Sequence, residues 1–282
     1  MIATEFYKGQ GFGNQLWVYA TLRSLAEIQN YKFSMISTHR FKGKSFLDLD
    51  FGKQTIRSSA RFPKERYPGN FSNYMQEQLI REKDFNFDVS PADPNFFQLE
   101  RNTLIDGNMQ SLRYIAAFRS EITNWFKVES DTFEGCVINF RGGEYKGIKN
   151  VFLGLDYYNR AIDQIRSINA NMKFLVVTDD TEKAREYFPS FQIVSSGGVK
   201  IIAGRLYISP PSHKIGEDFR LIQNARHLIL SNSSFSWWGA WTNTVAETVI
   251  APKYWAAYNV SDSFWSTAEI AEPSWTWLEN TN

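Results

Sequence analysis

The sequence predicts an α/β protein of two doubly wound domains facing across a cleft, and three observations support that expectation. Short apolar runs alternate with helix-period segments through the second half. The opening residues read strand, Gly-rich turn, helix, strand. The length, 282 residues, is long for one core and suits two domains of ordinary size.

Taken in order, Ile2 to Tyr7 is short and partly apolar, and Gly9-Gln10-Gly11-Phe12-Gly13 turns the chain into a helix where Val18, Leu22 and Leu25 recur at helical spacing. Tyr31 to Ile36 returns as a strand. The stretch from Lys42 to Asn95 is rich in charged and turn residues and gives no assignable element. From Ser111 to Phe126, Leu112, Ile115, Phe118, Ile122 and Phe126 fall at three- and four-residue spacings, as on a helix. Polar Lys127 to Glu134 reads as a linker, which sets the domains at residues 1–130 and 131–282. Beyond it come a strand at Cys136 to Phe140, a helix at Tyr157 to Ile168, a strand at Lys173 to Val177 and a helix at Thr181 to Tyr187. The series closes with a strand at Gln192 to Val194, a helix at Glu217 to Ala225, and strands at His227 to Leu230 and Thr248 to Ala251. The aromatic-rich end, Trp255 through Trp277, reads as core before an interface or a membrane-surface contact.

Lys+Arg 31 against Asp+Glu 30 leaves a net charge of +1, so no global field attracts nucleic acid or an anionic membrane, and any phosphate must be met locally. One cysteine, Cys136, rules out an internal disulfide and a cysteine-based zinc site, and its apolar setting reads as a buried strand. Neither a charged leader with an apolar core nor a run of membrane-spanning length is present, so the expectation is a soluble, cytoplasmic protein, at most peripheral at a membrane.

The richest segment is Ser231-Asn232-Ser233-Ser234-Phe235-Ser236-Trp237-Trp238-Gly239-Ala240. A strand that empties into small hydroxyl and amide residues, and then into a helix start, aims N–H groups and hydroxyls at one point beyond the sheet edge. One polar residue suffices for a helix cap, and here there are five in six positions, which favours a phosphate site over a cap with Trp237 and Trp238 as core. Arg141 leaves its strand into a Gly142-Gly143 turn that lets backbone and guanidinium approach a ligand, and the planar fork can hold two phosphate oxygens. In Thr178-Asp179-Asp180 a carboxylate can accept from paired N–H donors such as those of guanine, or simply cap the next helix. Glu144 is either a general base or the ion-pair partner that orients Arg141, with Glu217 and Asp218 as weaker candidate bases.

Together these segments resemble glycosyltransferase family 11, the alpha-1,2-fucosyltransferases. Gly9 to Gln15 is similar to the family's Gly-x-Gly-Asn-Gln turn, Asp106 to Ser111 to its Gly-Tyr-x-Gln-Ser segment, and Asn232 to Ala240 to its Asn-Ser-Thr-Phe-Ser-Trp-Trp-Gly-Ala. Asn139 to Tyr145 falls where the family has His-x-Arg-Arg-Gly-Asp-Tyr, with Asn139 for the histidine, Gly142 for the second arginine and Glu144 for the aspartate. Thr178-Asp179-Asp180 falls where the family has Ser-Asp-Asp.

The resemblance implies a GT-B architecture of two Rossmann-like domains, with GDP-fucose in the C-terminal one and a glycan acceptor, free or lipid-linked, against the N-terminal one. It implies no metal and no cofactor. Carried over, Arg141 holds the β-phosphate, Ser233, Ser234 and Phe235 add phosphate contacts, Asp179 meets guanine, Asn139 faces the base and Asn14 sits at the reacting centre. Gly11 and Gly13 let the loop come close. The expected reaction is inverting transfer of L-fucose to a hydroxyl, the 2-hydroxyl of galactose, with Arg141, Glu144 and Asn14 as catalytic residues. Two alternatives stand beside it: another GDP-deoxyhexose donor or a different acceptor, and a glycan- or nucleotide-binding protein that has lost catalysis.

Overall fold

The computed structural model describes residues 1–53, 71–77, 87–88, 92–148, 151–195, 199–202, 205–208, 211–257, 264–266 and 268–280; much of the unassigned stretch between Lys42 and Asn95 lies outside them. The strands of the first half are β1 (Ile2–Glu5), β2 (Phe33–Ile36), β3 (Asn73–Gln76), β4 (Phe87–Asp88) and β5 (Thr103–Asp106). Its helices are α1 (Phe12–Ile28), α2 (Leu112–Ile115) and α3 (Arg119–Trp125). The second half begins with β6 (Phe133–Phe140), α4 (Leu155–Ile168), β7 (Phe174–Thr178), α5 (Thr181–Tyr187), β8 (Gln192–Ser195), β9 (Val199–Ile202) and β10 (Arg205–Ile208). It continues through α6 (Pro211–Gln223), β11 (Ala225–Ile229), α7 (Ser234–Trp241), β12 (Thr248–Pro252), β13 (Tyr254–Ala257), β14 (Phe264–Ser266) and β15 (Thr276–Leu278).

Two parallel sheets organise the chain. The first runs β2-β1-β5-β3, with Ala3 beside Ser34 and Leu104, and Leu104 beside Tyr74. The second runs β15-β12-β11-β6-β7-β8, all parallel. Counted within the sheet that order is the doubly wound one, and the direction of winding reverses between β6 and β11. In the first sheet it reverses between β1 and β5. This is the two-lobed α/β arrangement expected from the sequence.

The four inner strands of the second sheet, β6, β7, β11 and β12, are buried on both faces over most of their length, as their continuous apolar runs require. Successive residues of β6 go to opposite sides: Val137 joins a core shared with the first half, whereas Cys136, Ile138 and Phe140 join an outer core under Tyr158, Ile162 and Phe188. The Cys136 thiol is free there, and burial pushes its pKa well up. Helix α1 buries 13 of its 17 residues, which makes it an interior helix rather than a surface one. It lies against α7, with Trp17 packed on Trp237 and Trp238 at ring-centroid distances of 4.4 and 4.8 Å. The tryptophans of the Ser-rich motif are therefore core, as its plainer reading held.

The C-terminal segment folds back onto the first half. The Glu269 carboxylate accepts from Ser111 Oγ and, at 3.3 Å, from the Ala92 N–H; Arg119 pairs with Glu272 at 2.9 Å; and Trp237 Nε1 donates to the Ile270 carbonyl at 2.9 Å. The helix expected over Ser111 to Phe126 is interrupted by a 3-10 turn at Ala116–Phe118, and both pieces bury an isoleucine, Ile115 and Ile122. Helix α6 starts six residues before the Glu217 expected from the pattern. Among the described residues no helix is long and apolar enough to cross a membrane.

Candidate functional site

Ligand crevices in open α/β sheets form beyond the C-terminal strand ends, where the winding reverses. Here both reversal points open onto the same cavity, of about 890 Å³. The first sheet contributes Gly9 to Asn14 after β1, and Asn108 and Gln110 after β5. The second contributes Asn139 at the end of β6, then Arg141, Glu144 and Tyr145 beyond it, Asp179 after β7, and Asn232 to Phe235 after β11. The ten residues given donor-site or catalytic roles from the sequence, Gly11, Gly13, Asn14, Asn139, Arg141, Glu144, Asp179, Ser233, Ser234 and Phe235, line it; of the two weaker candidate bases Asp218 lines it and Glu217 does not.

Two helix N-termini meet at its floor. Gly11 precedes α1 and Ser233 precedes α7, both in extended conformation, and neither side chain accepts a hydrogen bond from its own helix. The first N–H groups of each helix, with the positive end of its dipole, thus face a common space suited to an anion. Gly13 sits at the contact: a Cβ there would lie 2.4 Å from the Phe235 amide nitrogen and the Ser234 carbonyl carbon. Its smallness therefore serves helix-to-helix approach rather than the loop-to-ligand approach expected. At Gly11, by contrast, a Cβ would meet nothing within 4 Å. Asn14 ties the seam, its Oδ1 accepting from Ser234 Oγ at 2.6 Å and from Gln110 Nε2 at 3.1 Å.

Arg141 lies between two carboxylates. Its Nη1 is 2.5 Å from Asp179 Oδ2, its Nη2 3.3 Å from Glu144 Oε1, and its guanidinium lies 5.1 Å from the centre of the Tyr145 ring. Nε is buried without a partner among the described residues. Asp179 also accepts the Gly142 N–H at 3.0 Å, and burial, partly offset by Arg141 and that N–H, raises its pKa. Asp179 is thus occupied by Arg141 instead of presented free to a base. The space beside Gly142 and Gly143 is likewise filled from within: a Cβ on Gly142 would lie 2.5 Å from Asp180 Cβ, and one on Gly143 2.4 Å from Asp179 Oδ2. Asp180 caps α5 through the Lys183 N–H at 3.1 Å and pairs with Lys146 at 2.7 Å, so the helix-capping reading of the Asp-Asp pair is realised in Asp180.

Asn139 is buried and accepts from Ser231 Oγ at 2.5 Å, joining the ends of β6 and β11. Asn232 donates both Nδ2 protons, to the carbonyls of Val151 at 2.7 Å and Trp255 at 2.5 Å, and its buried Oδ1 has no partner among the described residues. Lys42, Asn108 and Trp255 also line the cavity, and sequence reasoning misses them. Lys42 is half-buried; burial first, and the charge of Arg141 second, lower its pKa. Its place after β2 is set by Gln15, whose buried amide accepts the Lys42 N–H at 2.9 Å and donates to the Arg40 carbonyl at 2.9 Å. No local pattern signals such a contact.

Comparison with known proteins agrees with this geometry. The sequence profile of glycosyl transferase family 11 matches residues 4–279. An Escherichia coli O-antigen biosynthesis glycosyltransferase, WbnK, is 28% identical over 127 residues, 44% of this chain and 36% of that protein. An Escherichia coli alpha-1,2-colitosyltransferase is 35% identical over 136 residues, 45% of this chain and 43% of that protein. The aligned segments therefore span less than half of either relative. A NodZ alpha-1,6-fucosyltransferase soaked with GDP-fucose superposes with TM-score 0.47 and 13% identity over 93% of this chain and 96% of its own. The E. coli heptosyltransferase WaaC with ADP gives 0.46 and 8% over 99% and 93%. At such scores these superpositions assign no function. The profile match spans nearly the whole sequence, and by it the chain belongs to glycosyl transferase family 11.

Proposed function

We propose that the protein transfers L-fucose from GDP-fucose to a glycan hydroxyl, the 2-hydroxyl of galactose, with inversion at the sugar carbon. The observation that carries this reading is convergence: two helix N-termini, Arg141 and the hydroxyls of Ser233 and Ser234 meet in one cavity lined by both halves. The acceptor oxygen attacks one face of the anomeric carbon while its bond to the β-phosphate oxygen breaks on the other, and the bonding pair leaves with GDP. Charge then builds on the diphosphate. Donors fixed in place before the reaction act best where charge grows, and Arg141 keeps an unpartnered Nε for that purpose. The unpartnered Oδ1 of Asn232 suits a hydroxyl or N–H of the nucleotide sugar.

Three carboxylates line the cavity, Glu144, Asp179 and Asp218. Both Asp179 and Glu144 lie on Arg141, and Glu144 is 75% exposed. That favours Glu144 as the partner that orients the arginine. Asp218, buried on α6 at the cavity wall, is a second candidate to take the acceptor proton. We place the reaction in the cytoplasm, on an acceptor that is free or lipid-linked.

A second reading changes the donor to another GDP-deoxyhexose. The 35% identity to the colitosyltransferase segment favours it, as does the packing of Asp180 against Gly142, which leaves Arg141 the only arginine among the described residues on the cavity wall. Calorimetry with GDP and GDP-fucose, without added metal, on the native protein and Arg141→Ala tests the site, and a panel of labelled GDP-deoxyhexoses separates the donors. The expectation is micromolar-range binding that weakens about 10-fold or more in the variant, the loss of roughly 1.5–3 kcal/mol typical of a charged hydrogen bond. Equal binding by the variant removes Arg141 from the phosphate site.

A further inference from the structure

The segment that follows β2 belongs to the first half of the chain and reaches the main cavity at Lys42. Hydrogen bonds from two sides fix its backbone. Buried Glu5, at the end of β1, accepts from Ser37 Oγ at 2.6 Å and from Arg40 Nη1 at 3.1 Å, and the same Nη1 donates to the Phe6 carbonyl at 3.1 Å. From the other side the buried Gln15 amide of α1 holds the Arg40 carbonyl and the Lys42 N–H, both at 2.9 Å. Further along, the Phe46 ring centre lies 5.3 Å from that of Phe12 on α1 and 6.3 Å from that of Phe219 on α6, and a Cβ on Gly216 of α6 would strike Phe46 at 2.7 Å. Residues 41–46 are thus clamped between a helix of each half. A lysine on so fixed a base loses less freedom on meeting a ligand than one on a loose loop.

The charges around it leave Lys42 a task that Arg141 alone does not cover. Among the described residues that line the cavity, two are cations, Lys42 and Arg141, and three are carboxylates, Glu144, Asp179 and Asp218. Arg141 already faces Asp179 at 2.5 Å and Glu144 at 3.3 Å, so much of its charge is answered from within. A diphosphate entering this wall therefore needs positive charge from elsewhere, and the dipoles of α1 and α7 supply only about half a charge each. Lys42 supplies a whole one. Burial first, and the Arg141 charge second, lower its pKa, while Glu144 acts the other way, so the two cations stand close enough to oppose each other. An anion between them relieves that opposition.

We propose that Lys42 is the second phosphate ligand of the donor site: its ammonium, delivered from the first half of the chain, meets the diphosphate from the wall opposite Arg141. The assignment rests on the nucleotide-sugar reading and adds to it a residue that ties the donor to both halves. Arg141 offers a planar fork and Lys42 a point charge, so the arginine fixes the orientation of the phosphates while the lysine follows whichever oxygen gathers charge as GDP leaves.

Calorimetry with GDP on the native protein, Lys42→Met and Lys42→Arg tests the assignment. Methionine keeps the unbranched apolar stem and leaves the backbone N–H on Gln15, so only the charge is removed. The expected loss in Lys42→Met is about 5-fold or more, less than in Arg141→Ala because a flexible stem spends more entropy per hydrogen bond than a planar fork, and Lys42→Arg is expected to stay within about 3-fold of the native protein. A change below about 2-fold in Lys42→Met, with Arg141→Ala still weakened, overturns the proposal and leaves the donor site standing. An equal loss in Lys42→Met and Lys42→Arg also overturns it, since the segment would then matter for its shape and not for its charge. If the native protein does not bind GDP, the donor reading falls and inorganic pyrophosphate decides on the same variants: binding that weakens in Lys42→Met and returns in Lys42→Arg keeps Lys42 as an anion ligand, and absence of pyrophosphate binding overturns that as well.

Discussion

The two walls of the cleft are built alike and charged differently. Each is the C-terminal edge of a parallel sheet at the point where its winding reverses. The wall from the second half concentrates charge: Arg141 between Asp179 and Glu144, with Lys146 on Asp180 behind it. The wall from the first half brings one described cation, Lys42, to the main cavity; beside it Tyr7, Gln10, Asp106 and Asn108 line a second recess, none of whose carboxylates pairs with a described lysine or arginine. The same backbone geometry thus frames two kinds of recognition. An ion-pair cluster can exchange one anion for another, whereas a wall of amides, phenols and carboxylates offers donors and acceptors to hydroxyls without an ion pair having to be broken.

Breaking the seam is expected to have the largest effect. Gly13→Val drives side-chain atoms into the Ser234–Phe235 backbone and should cost about 1–3 kcal/mol of stability or more, with transfer lost, because both helix N-termini move. Thermal denaturation beside a transfer assay measures both, and a native-like Tm with native activity would show that the seam yields. Arg141→Ala comes next and isolates the charged wall: GDP affinity falls about 10-fold or more. Lys42→Met is its counterpart on the opposite wall, with a loss of about 5-fold or more. Ser234→Ala is milder, removing one neutral hydrogen bond to Asn14 worth about 0.5–1.5 kcal/mol. If Asn14 sits at the reacting centre, that loss appears in kcat rather than in GDP affinity.

The smallest effect is one of pH. Burial raises the Asp179 pKa, so in the folded protein its charged form costs stability, and that cost is relieved as pH falls through the raised pKa, before an ordinary aspartate takes up a proton. Neutral Asp179 releases Arg141 toward the donor. The affinity for GDP-fucose is therefore expected to tighten by a few-fold as pH falls toward that range, and to stay flat in Asp179→Asn. A native protein as flat as the variant would show that Asp179 does not restrain the arginine.

Much of this was legible in the residues. Apolar runs such as Phe174–Thr178 can only be buried strands, and the amphipathic spacing of Tyr158, Ile162 and Ile165 fixes α4. The short strands of the first sheet are harder: Thr103–Asp106 and Asn73–Gln76 have two apolar residues each, so neither stands out from a loop until Leu104 pairs with Ala3 on one side and Tyr74 on the other. Lys42 and Asn108 escape for a related reason, since their place in the cleft depends on Gln15 and Glu77, distant in sequence.

By itself the sequence determined the alternation of strands and helices, the location of the charged wall in Asn139 to Tyr145 and Ser231 to Phe235, and the family. These follow from local periodicity and local chemistry, which a linear chain displays. Only the tertiary structure decided that Asp179 pairs with Arg141, that Gly13 serves the contact of two helices, and that a second recess, lined by Asp106 and Glu77, adjoins the main cavity. Each of these depends on distances between residues that are remote in the chain, and packing alone sets such distances.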